Sequence, residues 1–179
     1  TSTRGSSTCN VVFYGCSIPG KGWVSLDTLS EDGGALGNAR CADCGAGKYS
    51  LTGTECLDCP VGRQSTRVGH NDECFECVVG RYSDEEGLID CKQCPVGTFQ
   101  PNNGATTCTI CAEGKYQDQT EAPFCEECAE GTYQPGAGMD VCEICAAGTY
   151  QNTRGATACK NCTAGSFQNL HGSAECKDC

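Results

Sequence analysis

The sequence predicts a small disulfide-rich fold, mostly β or irregular. It reads as an elongated linear array of about eight to nine 17-residue hairpin repeats behind an N-terminal β-like segment. Three observations carry this reading. Cysteine supplies 20 of the 179 residues, a density above the roughly 8–10% that marks the disulfide scaffolds of secreted proteins. Leu, Ile, Val and Phe together number only 25, fewer than the roughly one fifth of a chain that a packed apolar core requires when net charge is high. Finally, Cys-x-x-Cys pairs begin at 41, 56, 74, 91, 108, 125, 142, 159 and 176, with a spacing of 17 residues from Cys74 onward. Such self-similarity at a fixed short period is the signature of a stacked repeat architecture.

Residues 1–40 differ in kind from the rest. They hold three acids and three bases, whereas residues 41–179 hold 20 acids and 9 bases and so carry the whole net charge of −11. Val11-Val12-Phe13-Tyr14, between Cys9 and Cys16, reads as a strand, and the stretch from Trp23 to Leu26 as a second. Too few apolar residues are present for an independent domain. The segment therefore reads either as a cap on the first repeat or as a strand that docks on another molecule, with Val11, Val12, Phe13, Tyr14 and Trp23 as its contact residues. Residues 41–179 form the tandem array.

Each repeat carries the same punctuation. A glycine stands three residues after each pair (Gly47, Gly62, Gly80, Gly97, Gly114, Gly131, Gly148, Gly165), the placement expected of a backbone position with φ > 0. Two residues later comes an aromatic, as in Tyr82, Phe99 and Tyr116, with Gln64 as the one departure. As the large apolar group that recurs at a fixed place in the units, it is expected to stack on the disulfide. A second glycine precedes the next pair, as in Gly104 within Pro101-Asn102-Asn103-Gly104, and marks the tip of a short loop. Glu121 replaces it once. From the fourth unit the aromatic is followed by glutamine: Gln100, Gln117, Gln134, Gln151 and Gln168. These glutamines form either a ladder along one face or a solvated row.

A disulfide within Cys-x-x-Cys is disfavoured in extended chain, so the natural loop runs from the second Cys of one pair to the first of the next. That spacing suggests Cys44–Cys56, Cys59–Cys74, Cys77–Cys91, Cys94–Cys108, Cys111–Cys125, Cys128–Cys142, Cys145–Cys159 and Cys162–Cys176, although spacing alone does not fix connectivity. Each loop of about 15 residues is worth about 3 kcal/mol in the chain-entropy model. Cys9, Cys16, Cys41 and Cys179 are left unassigned. Cys41 is expected to join Cys9 or Cys16, and Cys179 to join either a further repeat or another molecule. A first residue of Thr in place of Met reads as a processed chain or a piece of a longer one.

With the pattern C-x2-C-x2-G-x-[Y/F]-x4–5-G-x3-C-x2-C on the page, clearest from Cys94-Pro95-Val96-Gly97-Thr98-Phe99 to Cys108, residues 41–179 resemble the ephrin-receptor-like cysteine-rich repeat. They are also similar to the first loop module of tumour-necrosis-factor-receptor repeats, although the full three-disulfide receptor module is absent. The resemblance implies an extracellular, disulfide-laddered rod that serves as a spacer or a protein-contact surface. It supplies no catalytic residues.

Other chemistries fit less well. Zinc ribbons also use paired Cys-x-x-Cys, but the pairs here lie closer together than the usual 15–20 residues, and nine pairs would strand one. Redox catalysis through Cys-x-x-Cys calls for a βαβ context, and no such pattern is visible. The acids Asp84, Glu85, Glu86 and Asp90, or Glu121, Glu126, Glu127 and Glu130, lack the spacing of a calcium loop and read as solvating charge. His70 and His171 are isolated loop residues. No metal, cofactor or catalytic residue is expected, and the chain does not read as an enzyme. An excess of acid disfavours nucleic acid, and no apolar run is long enough for a membrane helix. Asn161-Cys162-Thr163 is the only N-glycosylation sequon, which makes Asn161 the candidate glycan site.

The leading expectation is an extracellular structural protein, secreted or at the cell surface, whose rod-like protomers join head to tail into a filament or surface appendage. Its partner would then be another copy of itself. The alternative is the stalk or ligand-contacting ectodomain of a receptor or adhesion protein, whose partner is an extracellular protein.

Overall fold

The computed structural model describes residues 21–24, 40–51, 55–69 and 73–179. The strand expected at Val11–Tyr14, and Cys9 and Cys16 beside it, lie outside the described residues. All regular structure among the described residues is β, in nine two-stranded antiparallel sheets. The first pairs Lys21–Val24 with Arg40–Asp43, so that Trp23 stands opposite Cys41 in register. The other eight are hairpins of two residues per strand, one for each repeat.

A hairpin of this length is marginal on its own, and the sequence supplies two closures for it. The first is a tight turn after each Cys pair. In Pro95-Val96-Gly97-Thr98 the Thr98 amide donates to the Pro95 carbonyl at 3.1 Å, and Gly97 has φ of 75°. This is the arrangement of a type II turn, which requires φ > 0 at its third residue. The second closure is the disulfide. Eight of them join Cys44–Cys56, Cys59–Cys74, Cys77–Cys91, Cys94–Cys108, Cys111–Cys125, Cys128–Cys142, Cys145–Cys159 and Cys162–Cys176. These bonds close loops 1 to 8 in chain order, and none crosses another.

The core that results contains little hydrocarbon. Cys59, Cys77, Cys94, Cys111, Cys128 and Cys145 are fully enclosed, together with Ser50, Ser65 and Ser83, and the five glutamines from Gln100 to Gln168 are buried beside them. The aromatics on the strands, such as Tyr82, Phe99 and Tyr116, are only half-buried. Large apolar side chains including Ile110, Phe124, Val141 and Ile144 face solvent. Sulfur and amide groups therefore occupy the interior that aliphatic side chains fill elsewhere.

Candidate functional site

The part of the molecule with the most specific geometry is the junction between loops. Between loops 5 and 6, three backbone bonds form. Gly114 N–H donates to Gln134 O at 2.8 Å, Gln117 N–H to Met139 O at 3.1 Å, and Gly138 N–H to Cys111 O at 2.7 Å. The same triplet recurs at every junction from loops 2–3 to loops 7–8. Each loop thus spends the backbone groups left free by its short strands on the loop ahead, as buried peptide groups require.

Contact also reaches one loop further. A methyl group on Gly114 of loop 5 would lie 2.1 Å from the carbonyl oxygen of Gly155, at the tip of loop 7. Gly47, Gly62, Gly80, Gly97 and Gly131 meet the tips two loops ahead in the same way. The loops therefore overlap like tiles, loops 1 to 6 each meeting both the next loop and the one after it. Loop 5 shows what happens when the tip glycine is missing. Glu121 takes its place at φ of 60°, the only non-glycine with positive φ among the described residues. Its carboxylate reaches back to the Arg81 guanidinium of loop 3 at 2.7 Å. That bond raises the Arg81 pKa from its ordinary value, with Asp90 adding to the effect. The one departure from glycine at this position is accompanied by an ion pair between loops two apart.

The glutamines form neither a ladder nor a solvated row. Each is buried and staples its own loop. Gln134 Nε2 donates to Val141 O at 2.6 Å, and its Oε1 accepts from Gly136 N–H at 3.1 Å. Gln100, Gln117, Gln151 and Gln168 repeat both bonds at the same offsets. In loops 2 and 3 the equivalent Ser65 and Ser83 donate instead to the carbonyl two residues on. Gln134→Ala removes the partners of the Gly136 N–H and the Val141 carbonyl and is expected to destabilise its loop by about 1 kcal/mol. Amide exchange at Gly136 reads this directly, and unchanged protection there would show that the staple contributes nothing.

Outside the junctions the surface carries several ion pairs alongside its exposed apolar side chains. Lys48 meets Asp58, and Arg63 meets Glu73 and Glu76. Lys92 meets Asp84 and Glu85, which raises the lysine pKa and, through the Lys92 hydrogen bond, lowers that of Asp84. The Tyr116 and Tyr133 hydroxyls donate to Glu126 and Glu143 across their hairpins, and those carboxylates push both phenols above their ordinary range. Such exposed pairs each contribute little stability. The Arg63–Glu73 ion pair lines a surface depression together with Tyr49, Pro60 and Cys74.

Of the residues singled out in the sequence, the sixteen loop cysteines are consumed by disulfides and offer no thiolates to a metal. Among the described residues no group of three or more His, Cys, Asp or Glu is placed to hold one. Cys179 is exposed and unpaired. Asn161 is exposed on the strand Lys160–Asn161. Of the docking residues only Trp23 is described, and only by its backbone register. Sequence reasoning missed the overlap of alternate loops and the part played by Glu121. The pairing of an arginine at 81 with an acid in the tip position at 121 was the available signal.

The family model described as tyrosine-protein kinase ephrin type A/B receptor-like matches five overlapping stretches, 65–107, 80–123, 97–139, 114–158 and 131–179, and so covers well over half of the chain. No curated protein matches the chain at a significant level.

Proposed function

Because this chain belongs to the ephrin type A/B receptor-like cysteine-rich repeat family, we propose that it is the spacer of an extracellular ectodomain, which holds its N-terminal segment at a fixed distance and orientation. The family's repeat is a disulfide-rich ectodomain module and not a catalytic one. The observation that carries the proposal is the junction triplet together with the overlap of alternate loops. Flexibly strung units would need neither. This array commits its backbone bonds to keeping successive loops in one orientation, which is what a spacer requires and an enzyme or a metal carrier does not. In this reading residues 1–40 cap the array or present its contact strand, and the chain performs no catalysis. Its eight disulfides support a location outside the reducing cytosol.

Small-angle scattering of the oxidised chain tests the proposal. A monomer with one elongated profile at all concentrations supports it. A broad distribution of bent shapes overturns it. A second reading, the head-to-tail filament, is favoured by one observation, the exposed and unpaired Cys179. It predicts multimers on non-reducing gels that vanish in Cys179→Ser, whereas the spacer reading predicts monomers in both.

A further inference from the structure

We propose that Asn161 is an N-glycan acceptor and that it is modified before the Cys162–Cys176 loop closes. The inference rests on the extracellular reading above, since only the secretory route would deliver the chain to a glycan transferase. Three features of the structure support the site itself. Asn161 is exposed, and its side-chain amide makes no hydrogen bond with any described residue. It is the second of the two residues between Cys159 and Cys162, the column filled elsewhere by Asp58, Glu76, Ile110, Glu127 and Ile144. At other positions of that column a tip glycine from two loops ahead overlies the side chain, as Gly138 does Ile110 and Gly172 does Ile144. Even so, Ile110 and Ile144 remain 61% and 63% exposed. A large substituent in this column therefore reaches solvent without displacing a neighbouring loop.

The order of events follows from what the fold does to the sequon. In the finished hairpin Asn161 pairs with Thr149, and Cys162 N–H donates to Gly148 O at 3.0 Å. Cys162 is cross-linked to Cys176. Thr163 opens the next turn, with its carbonyl accepting from Ser166 N–H at 3.0 Å. Its hydroxyl lies 3.5 Å from that of Ser166. A transferase must bend Asn161, Cys162 and Thr163 around its own site, and every one of these bonds opposes that. Transfer therefore belongs to the interval before Cys176, fourteen residues further on, has formed its bond. The co-reactant is an oligosaccharide carried on a lipid pyrophosphate. A bond forms between Asn161 Nδ2 and the anomeric carbon of the sugar, and the bond from that carbon to the pyrophosphate oxygen breaks. Nδ2 gives up one proton, and the lipid pyrophosphate leaves with the electron pair.

The test is expression of the full chain behind a cleavable secretory leader in eukaryotic cells, with mobility compared before and after an enzyme that removes N-linked glycans. A single downward shift is expected, absent in both Asn161→Gln and Thr163→Ala. Brief treatment of the cells with a thiol reductant during synthesis is expected to raise the glycosylated fraction. So is the double variant Cys162→Ser, Cys176→Ser, which keeps the sequon and abolishes the loop. It is scored in cell lysate, where folding is not required. A fully oxidised, secreted chain with no shift in either the natural sequence or the double variant overturns the acceptor site. Equal occupancy with and without reductant, and in the double variant, overturns the order of events. Widespread free thiols in the secreted chain would instead overturn the extracellular disulfide reading on which the proposal stands.

Discussion

Gly114→Ala is expected to destabilise the middle of the array by about 3 kcal/mol or more, at the upper end of single-substitution effects. Gly148→Ala is expected to cost only about 1–2 kcal/mol. The two glycines occupy the same place in their repeats, with φ of 77° and 84°, so the backbone penalty for an L-residue is common to both. They differ in what lies above them. At Gly114 the new methyl would stand 2.1 Å from the Gly155 oxygen and 2.7 Å from its carbon, backbone atoms that cannot swing aside. At Gly148, for which a tip two loops ahead would fall past residue 179, nothing lies within 4 Å. Relief of the clash requires loop 7 to lift off loop 5, which also strains the Gly131–Gln151 and Gly155–Cys128 bonds. Thermal melting and amide exchange in loops 5 to 7 measure the difference. Equal effects of the two substitutions would show that the overlap between alternate loops carries no energy.

Removal of a single interior disulfide, in Cys111→Ser with Cys125→Ser, is expected to lose 2–5 kcal/mol, the range seen when small secreted domains lose a native bridge. The damage should be local. Every bridge closes only its own loop, so loops 1–3 and 7–8 keep their own cross-links, and in linear arrays stability is close to a sum over units and their interfaces. Limited proteolysis distinguishes the outcomes. A cut between 112 and 124 in the oxidised natural chain leaves two pieces tied through Cys111–Cys125. The same cut in the variant releases two separate fragments that each retain protected disulfides. Digestion of the whole variant to small peptides would instead mean that the eight loops fold as one cooperative body.

Much of this architecture was legible because the residues that define it act on their own neighbourhood. A Cys pair, a glycine three residues on and a strand-forming aromatic two beyond that place a turn and a hairpin, and the structure forms the hairpins at those positions. The glutamines could not be read correctly from their polarity, since polar side chains in a repeat with little apolar content look solvated. They are buried because Nε2 and Oε1 find a carbonyl and an amide at offsets of seven and two residues in the same loop. That geometry depends on how the loop tip folds back. The overlap of loops two apart was not legible at all. Its contacting atoms are a glycine α-carbon and a backbone carbonyl, which every repeat possesses and no side chain advertises. Only where Glu121 took the glycine's place did the contact leave a trace in the sequence, as an acid answering Arg81 across forty residues.

The uncrossed order of the disulfides has a mechanical consequence. Pulled from its two ends, the chain cannot pay out the residues inside a loop, because tension bypasses them through the sulfur bridge. Each repeat then transmits load across a Cα separation of 5.7 Å at Cys111–Cys125. Three backbone steps from Cys125 to Cys128 follow, about 11 Å when taut. Full stretch is therefore about 17 Å per repeat, against about 60 Å for the same seventeen residues without the bridge. Breaking every junction bond would let the array bend and extend, but no further than that limit. Such a strap has a fixed limit of extension until a disulfide is reduced, and reductant is then the agent that lets it extend further.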